Sequence, residues 1–281
     1  MLRNEPVVFQ KDKDEDQEPA VREREVSKRP GLPSRPEGGC EPSSPALRHV
    51  IVERDEFKIR LADTAGQRSS SSLLIKRMYA WRGYETGRAS EDNKSNVVTL
   101  VAHTNDAAEQ TIGTLTLWFD SSGGLPADAA YNDRLDMLRC RDRQLCEPGG
   151  LAVDHTAMGS KPLLAALFHL GYIYIQSIQG HTDVVMQVNP RHSAFYRRML
   201  GFTPIGELRI CPKVNAPAVL LSVATEYMQA EIEKYGGQAG TSGQRSLYPY
   251  FFSAREEKGL SGRLWTKAAS DTENGQEKIC A

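Results

Sequence analysis

The sequence predicts an α/β protein in which one mixed β-sheet is flanked by helices. Short segments with alternating or continuous apolar residues, typical of strands, are interleaved with segments whose apolar residues recur every three or four positions. Their predicted order is β-α-β-β followed by β-α-β-α-β, all between residues 50 and 235. Such an order is typical of helices packed on a sheet within one domain.

The sequence pattern predicts three strands and one helix in the first half of the domain. Phe57–Leu61 alternates apolar and polar residues, as in a half-buried strand. The apolar residues of 72–84 have helical spacing, which predicts an amphipathic helix. Residues 97–102 and 112–120 read as strands on either side of a polar turn, and they predict an antiparallel hairpin or meander.

The second half of the domain alternates strands and helices. A short helix is predicted within 123–143, where Tyr131, Leu135 and Leu138 share one face. A helix over 160–179 is apolar nearly all round, which predicts packing on more than one side. The remaining elements are strands at 150–154, 183–188 and 217–225 and helices at 193–200 and 226–234.

Polar or irregular segments flank this domain. Residues 1–49 hold many charges and 7 of the 15 prolines, so they are predicted to be a disordered tail. Residues 236–281 are predicted to be a tail that is partly ordered at most. Its aromatic run Tyr248–Phe252 is expected to cap the domain; folding over a site or binding another chain are the alternatives.

Composition argues against several classes of protein. A net charge of −1 disfavours a protein that coats nucleic acid by bulk charge. Five cysteines without a CxxC pair and six scattered histidines disfavour a disulfide scaffold or a metal site. The N-terminus lacks an apolar signal core, and the longest apolar run, Leu163–Ile175, is too short for an integral membrane segment. A cytoplasmic protein is therefore expected.

Three stretches of the sequence resemble one family of enzymes. The first runs from Glu147 through Leu151-Ala152-Val153-Asp154 to Gly159 and an apolar helix, and it is similar to the core of GNAT acyltransferases. The second and third are 57–84 and Asn189–Phe202, and they resemble the N-acyl amino acid synthase branch, which is related in fold to acyl-homoserine lactone synthases. The resemblance covers roughly residues 55–225.

The resemblance implies a GNAT-like acyltransferase fold and an acyl transfer reaction. Members of this family move a long acyl chain from an acyl carrier protein to the amino group of an amino acid. The implied partners are therefore an acyl carrier protein and an amino acid substrate, with no nucleic acid.

The strand that includes Leu151, Ala152 and Val153 is the candidate binding site for the acyl donor. An extended thioester arm needs a free sheet edge beside which it lies as an extra strand, and the segment 149–154 is placed to supply it. Free backbone N–H groups there would also stabilise an oxyanion. The alternative is an ordinary core strand.

The loop that follows departs from the acetyltransferase pattern. That pattern cradles the coenzyme A pyrophosphate with a glycine-rich loop, but here only the central Gly159 remains. Ser160 and Lys161, at a helix N-terminus, are still able to hold one phosphate. We therefore expect no tightly bound cofactor and a phosphopantetheine thioester as donor, on a carrier protein rather than coenzyme A; a solvated Lys161 is the alternative.

Three further residues are candidates for the site. Glu147 occupies the position of the general base in many acetyltransferases, and the alternative is a surface glutamate. Tyr196 is a candidate to protonate the leaving thiolate; the alternative is core packing, with Phe195 pointing inward because the spacing to Gly201 is longer by one residue. Asn189 either hydrogen-bonds the pantetheine arm or caps the next turn.

The sequence leaves two readings possible for an arginine group and for a set of apolar residues. Arg139, Arg141 and Arg143 alternate and, if they lie in a strand, share one face that is suited to docking an acidic carrier protein; a solvated charged edge is the alternative. Five apolar residues are candidates for an acyl tunnel or, equally, for filled core: Met78, Trp81, Leu115, Leu117 and Phe119.

Two other functions compete with N-acyl amino acid synthesis. One is a signal synthase of the acyl-homoserine lactone type, which differs in the acceptor. The other is a non-catalytic acyltransferase fold that binds acyl carrier protein, and the altered phosphate loop is its main support.

Overall fold

A mixed β-sheet runs through the molecule and carries helices on both of its faces. The computed structural model describes residues 50–84, 96–154 and 160–264. The predicted disordered tail, residues 1–49, lies outside the described residues. This architecture is the mixed α/β arrangement that the sequence predicted.

Nine strands lie within the described residues, in the spatial order β1-β2-β3-β4-β5-β6-β9-β7, with β8 paired to β9. All neighbours are antiparallel except β5 and β6, which are parallel. The strands are β1 (Val50–Glu53), β2 (Phe57–Leu61), β3 (Val97–Thr104), β4 (Thr111–Phe119), β5 (Leu145–Val153), β6 (Asp183–Val188), β7 (Thr203–Pro204), β8 (Arg209–Cys211) and β9 (Ala216–Ala224).

Six helices are described. They are α1 (Ala65–Trp81), α2 (Asp128–Arg139), α3 (Ser160–Tyr172), α4 (Pro190–Leu200), α5 (Thr225–Tyr235) and α6 (254–264). A π-helical segment, Ile173–Ile178, continues α3 without a break, which accounts for the single long helix predicted over 160–179.

Helix α1 begins seven residues before its predicted start at Ser72 because a capping box fixes its N-terminus. Thr64 Oγ1 accepts a hydrogen bond from the Gln67 backbone N–H (3.2 Å), and Gln67 Oε1 accepts one from the Thr64 N–H (3.1 Å). The intervening serines have no apolar periodicity, so hydrophobic spacing alone missed this first part of the helix.

The two faces of the sheet bury different helices. The main core contains β1–β6 and β9 together with α3, α5 and the C-terminal segment. On the other face, α2 packs through Tyr131 and Leu135 against Leu145, Val185 and Leu220. Helix α1 covers β5 on that same side, where Leu74 and Met78 contact Ala152. This division leaves the carboxyl-terminal half of β5 beneath α1.

The C-terminal segment adds to the core beyond residue 235, where we predicted that the domain ends. Tyr248 Oη donates to the Leu200 carbonyl (2.8 Å), and the Phe252 N–H donates to Nδ1 of the fully buried His169 (2.8 Å). The apolar side chains that this segment buries are Leu247, Tyr248, Phe251, Phe252, Leu260 and Leu264. The aromatic run thus caps the core, as expected from the sequence.

Across the described ranges, no helix combines the length and apolar character needed to cross a bilayer.

Candidate active site

The parallel strands β5 and β6 pair for only two residues and then separate. Leu145 is opposite Asp183 and Cys146 is opposite Val184; beyond them β5 keeps its pairing with β4 alone. One edge of β5 is therefore free of backbone partners in β6 from Glu147 onward. This is the free sheet edge expected for the acyl donor.

A β-bulge shapes this free edge. The β4–β5 register shifts between Thr114, opposite Ala152, and Thr116, opposite Gly149, so two β5 residues oppose Leu115. Gly150 lies within the bulge and has φ 56°, a backbone conformation that side chains rarely adopt. Residues 149–151 are half-buried, whereas the rest of β5 is buried. The bulge thus leaves glycine backbone partly exposed beside the gap between β5 and β6, which we call the cleft.

Glu147 is the first β5 residue after the strands separate, and its side chain is only 5% exposed. Its Oε2 accepts a hydrogen bond from the Ala127 backbone N–H (2.7 Å), at the N-terminus of α2, and its Oε1 accepts one from Gln187 Nε2 (3.1 Å). Burial raises the pKa of this carboxyl to about 7, although both hydrogen bonds and the charge of Lys213 oppose the rise. A carboxyl with this pKa exchanges protons readily near neutrality.

Gln187 is a site residue that the sequence reasoning missed. It lies in β6, across the gap from Glu147, and its Oε1 is buried without a hydrogen-bond partner among the described residues. The available signal was a polar residue inside an otherwise apolar strand.

Tyr196 lies on α4 and packs against the core. Its ring packs edge-on against Phe168 and Phe202, with centroid distances of 6.3 and 6.1 Å. Burial, and secondarily Tyr79, raises the pKa of its hydroxyl, while Arg82 lowers it. Tyr79 and Arg82 come from the last turn and C-cap of α1, and the raised pKa means that the hydroxyl keeps its proton at neutral pH.

Phe195 is also partly buried against the core, beside Tyr196 at a centroid distance of 5.3 Å. Helix α4 thus directs two neighbouring aromatic rings inward, and the longer spacing to Gly201 does not expel Tyr196. Gly201 itself ends α4 in the left-handed conformation (φ 79°), and a Cβ there would lie 2.1 Å from Cε1 of Tyr227.

Asn189 caps α4. Its Oδ1 accepts a hydrogen bond from the Arg191 N–H (3.2 Å), and its Nδ2 donates to the Pro217 carbonyl (3.4 Å). Arg191 in turn donates from Nη2 to Oη of Tyr84 (2.9 Å), which joins the start of α4 to the segment after α1. These contacts hold the two helices that border the cleft.

Lys161 lines a cationic cavity of about 370 Å³ at the start of α3. Arg198 of α4 and Arg245 of the C-terminal segment contribute two more cations, and Lys161 Nζ lies 4.9 Å from the ring centroid of Tyr250. Within the described ranges none of the three cations forms an ion pair, and Ser246 Oγ in the lining is buried without a partner. Gly159 lies outside the described residues, as does the side chain of Ser160.

The three alternating arginines do not lie in a strand. Arg139 ends α2, and its guanidinium pairs with Asp120 (2.7 Å), Asp128 (2.7 Å) and Asp136 (2.9 Å). Arg143 pairs with Asp183 and with Glu226, whereas Arg141 is exposed in the turn between them. The shared face expected of a strand is therefore not formed, since a helix end and a turn place the side chains differently; their docking role remains a prediction.

The apolar residues proposed for an acyl tunnel are separated in the fold. Leu115 and Leu117 line a small space of about 20 Å³ between the sheet and α3, with Pro148, Phe168 and Met186. Met78 of α1 packs on Ala152 of β5, Phe119 packs beside Tyr174, and Trp81 is 73% exposed. The small volume is about that of one water molecule, so Leu115 and Leu117 pack as core in this structure.

A parallel strand pair that separates just before a bulge, within a mixed sheet that carries helices on both faces, is the arrangement that the resemblance to GNAT-like acyltransferases implied. A sequence model described as N-acyl amino acid synthase FeeM matches residues 70–224, more than half of the chain. The chain therefore belongs to the FeeM family of N-acyl amino acid synthases, and it is an acyltransferase.

The solved structure of FeeM agrees with this assignment. FeeM, an N-acyl amino acid synthase from uncultured soil microbes, is 26% identical, with a TM-score of 0.56 over 62% of this chain and 93% of that chain. The AHL synthase LasI is 10% identical (TM-score 0.45; 61% and 91% covered). An acyl-CoA N-acyltransferase from Pseudomonas aeruginosa is 15% identical (TM-score 0.43; 59% and 98% covered). No curated protein matches the chain.

Proposed function

We propose that this N-acyltransferase moves a long acyl chain from the phosphopantetheine thioester of an acyl carrier protein to the α-amino group of an amino acid. The observation that carries the proposal is the buried Glu147, with a pKa of about 7, at the point where β5 and β6 separate. A base with this pKa is matched to the deprotonation of an ammonium group at neutral pH.

The reaction begins with the acceptor. Glu147 takes one proton from the ammonium group, directly or through a water, and the neutral amine attacks the thioester carbonyl carbon. The new C–N bond forms as the carbonyl oxygen becomes an oxyanion. Backbone N–H groups of the half-buried segment 149–151 are the candidate donors to that oxyanion.

Collapse of the tetrahedral intermediate breaks the C–S bond. Tyr196 donates its proton to the leaving thiolate. The nitrogen still carries one excess proton, and it gives this proton to the Tyr196 phenolate, which becomes neutral again. The products are the N-acyl amino acid and the free thiol, and one proton passes from Glu147 to water. The raised pKa of Tyr196 supports this role because a general acid must hold its proton until the thiolate forms.

The donor arm is proposed to lie along the free edge of β5, beside Leu151, Ala152 and Val153. Lys161, Arg198 and Arg245 then supply positive charge for the phosphodiester of the arm, together with the start of α3. The three cations come from separate elements, and a carrier-bound arm brings one phosphate and no adenosine. Asn189 acts here by capping α4 rather than as a required contact to the arm.

The decisive test incubates the purified full-length protein with long-chain acyl carrier protein or the matching acyl-coenzyme A and a panel of amino acids. Mass spectrometry then identifies the acylated products, and a thiol reagent measures the free thiol that the donor releases. We expect N-acyl amino acids, formed faster from the carrier protein. An acyl-homoserine lactone product would contradict the proposed acceptor, and no thiol release with any amine would contradict catalysis.

A further inference from the structure

Lys213 places a positive charge beside the cleft at a position that the reaction scheme above does not use. It lies in the turn between β8 and β9, and its Nζ is 4.6 Å from the ring centroid of Trp118. Within the described ranges, Lys213 forms no ion pair with a carboxylate. An exposed ammonium group held over an indole is available to an anionic ligand.

Trp118 connects Lys213 to the reacting part of β5. In the β4–β5 register Trp118 is directly opposite Glu147, so the two side chains lie on the same face of the sheet. Gly149 is the next residue of β5 on that face, and a Cβ built there would lie 3.0 Å from Cζ3 of Trp118. The indole therefore lies across β5 at Gly149, and Lys213 is held close to Glu147.

The hairpin that carries Lys213 is fixed to the same helix that positions Glu147. Tyr131 of α2 donates from Oη to the carbonyls of Ala218 (2.7 Å) and Glu207 (2.9 Å). Arg209 of β8 donates to the Ala130 carbonyl (2.7 Å) and stacks over the Tyr131 ring. The N-terminus of α2 also donates the hydrogen bond from Ala127 to Glu147. Helix α2 therefore fixes the position of both Glu147 and the hairpin that carries Lys213.

The placement of a cation and a buried carboxyl on either side of Trp118 suits an α-amino acid. The amino and carboxylate groups of such an acceptor are bonded to one carbon, so an amine at Glu147 brings a carboxylate into its immediate surroundings. The negative charge of Glu147 alone would repel that carboxylate. The buried Oε1 of Gln187, which has no partner among the described residues, is an acceptor for the remaining N–H of the amine.

We infer that Lys213, held in place by Trp118, binds the α-carboxylate of the acceptor amino acid. This inference rests on the proposed function and adds the feature by which the enzyme distinguishes an amino acid from an amine without a carboxylate. Lys213 is a binding residue here, and it takes no proton in the reaction.

The test compares each amino acid with its primary amide, in the full-length enzyme and in Lys213→Gln. We expect the wild-type enzyme to prefer the acid and the variant to lose roughly 10- to 100-fold in kcat/KM for the acid, the factor typical of a charge-assisted hydrogen bond, with little change for the amide. Any effect of Lys213 on the pKa of Glu147 acts on both acceptors, so the acid-to-amide ratio isolates the carboxylate contact.

Two controls sharpen the comparison. Lys213→Arg keeps the charge and should retain most of the preference for the acid. Lys234 is a matched control because its Nζ also lies over an aromatic ring, 4.9 Å from the centroid of Tyr235, but on α5; Lys234→Gln should leave the ratio unchanged. An unchanged ratio in Lys213→Gln would overturn the inference alone, whereas a wild-type enzyme that acylates no amino acid would overturn the proposed function itself.

Discussion

Gln187 Nε2 donates a hydrogen bond to Oε1 of Glu147, 3.1 Å away, across the gap where β5 and β6 separate. The bond joins the two strands at the first position where they no longer share backbone hydrogen bonds. It also opposes the effect of burial on the pKa of Glu147, so it tunes the group on which the proposed chemistry depends.

Replacement of Gln187 by leucine should raise the pKa of Glu147 further, because the carboxylate loses a donor while its burial persists. The acidic limb of the kcat/KM profile should then move to higher pH. Gln229→Leu is the matched control, since Gln229 also donates to a glutamate, Glu233 (2.9 Å), but on the exposed face of α5. A limb that stays in place in Gln187→Leu would show that this bond does not tune the base.

Replacement of Tyr196 by phenylalanine keeps the packing against Phe168 and Phe202 but removes the proton donor. We expect kcat with the phosphopantetheine thioester to fall roughly 10²- to 10⁴-fold. An aryl thioester leaves as a more stable thiolate and needs no acid, so it should restore most of the rate. Equal losses with both donors would point to a packing role instead.

Replacement of Lys161, Arg198 or Arg245 by alanine should raise the KM for acyl carrier protein and weaken its salt dependence, because each removes one cation from the cavity. Arg141→Ala is the comparison, since Arg141 belongs to the arginine group predicted for docking and forms no ion pair within the described residues. If only Arg141→Ala raises the KM, the carrier protein docks at that group and not at the cavity.

The order of strands and helices was largely predictable from hydrophobic spacing, because each element buries one regular stripe or face. Phe57–Leu61 and 183–188 match their strands residue for residue. Features that depend on hydrogen bonds or backbone conformation were not predictable in this way. The capping box at Thr64 and the bulge at Gly150 are the main examples.

The residues of the candidate site were predictable only where a family motif contains them. Glu147 and Tyr196 followed from the resemblance; the structure places Glu147 where β5 and β6 separate and packs Tyr196 of α4 against Phe168 and Phe202. Trp118 and Lys213 contribute through a contact between residues distant in sequence, and no local pattern marks them. Gln187 is marked only as a polar residue inside an apolar strand, and its partner Glu147 is 40 residues away. Arg139 is the opposite case. The sequence suggested a charge available for docking, but in the fold its guanidinium forms ion pairs with three aspartates.

The central claim is that Glu147 is the general base, and the pH dependence of acyl transfer tests it most directly. Glu147 must be deprotonated to accept a proton, so kcat/KM for the amino acid should rise with pH and bend at about pH 7. Glu147→Gln should lower the rate roughly 10²- to 10⁴-fold and lose that bend, leaving only the ionisation of the acceptor amine. A Glu147→Gln enzyme with nearly wild-type rate and the same bend at about pH 7 would contradict the account.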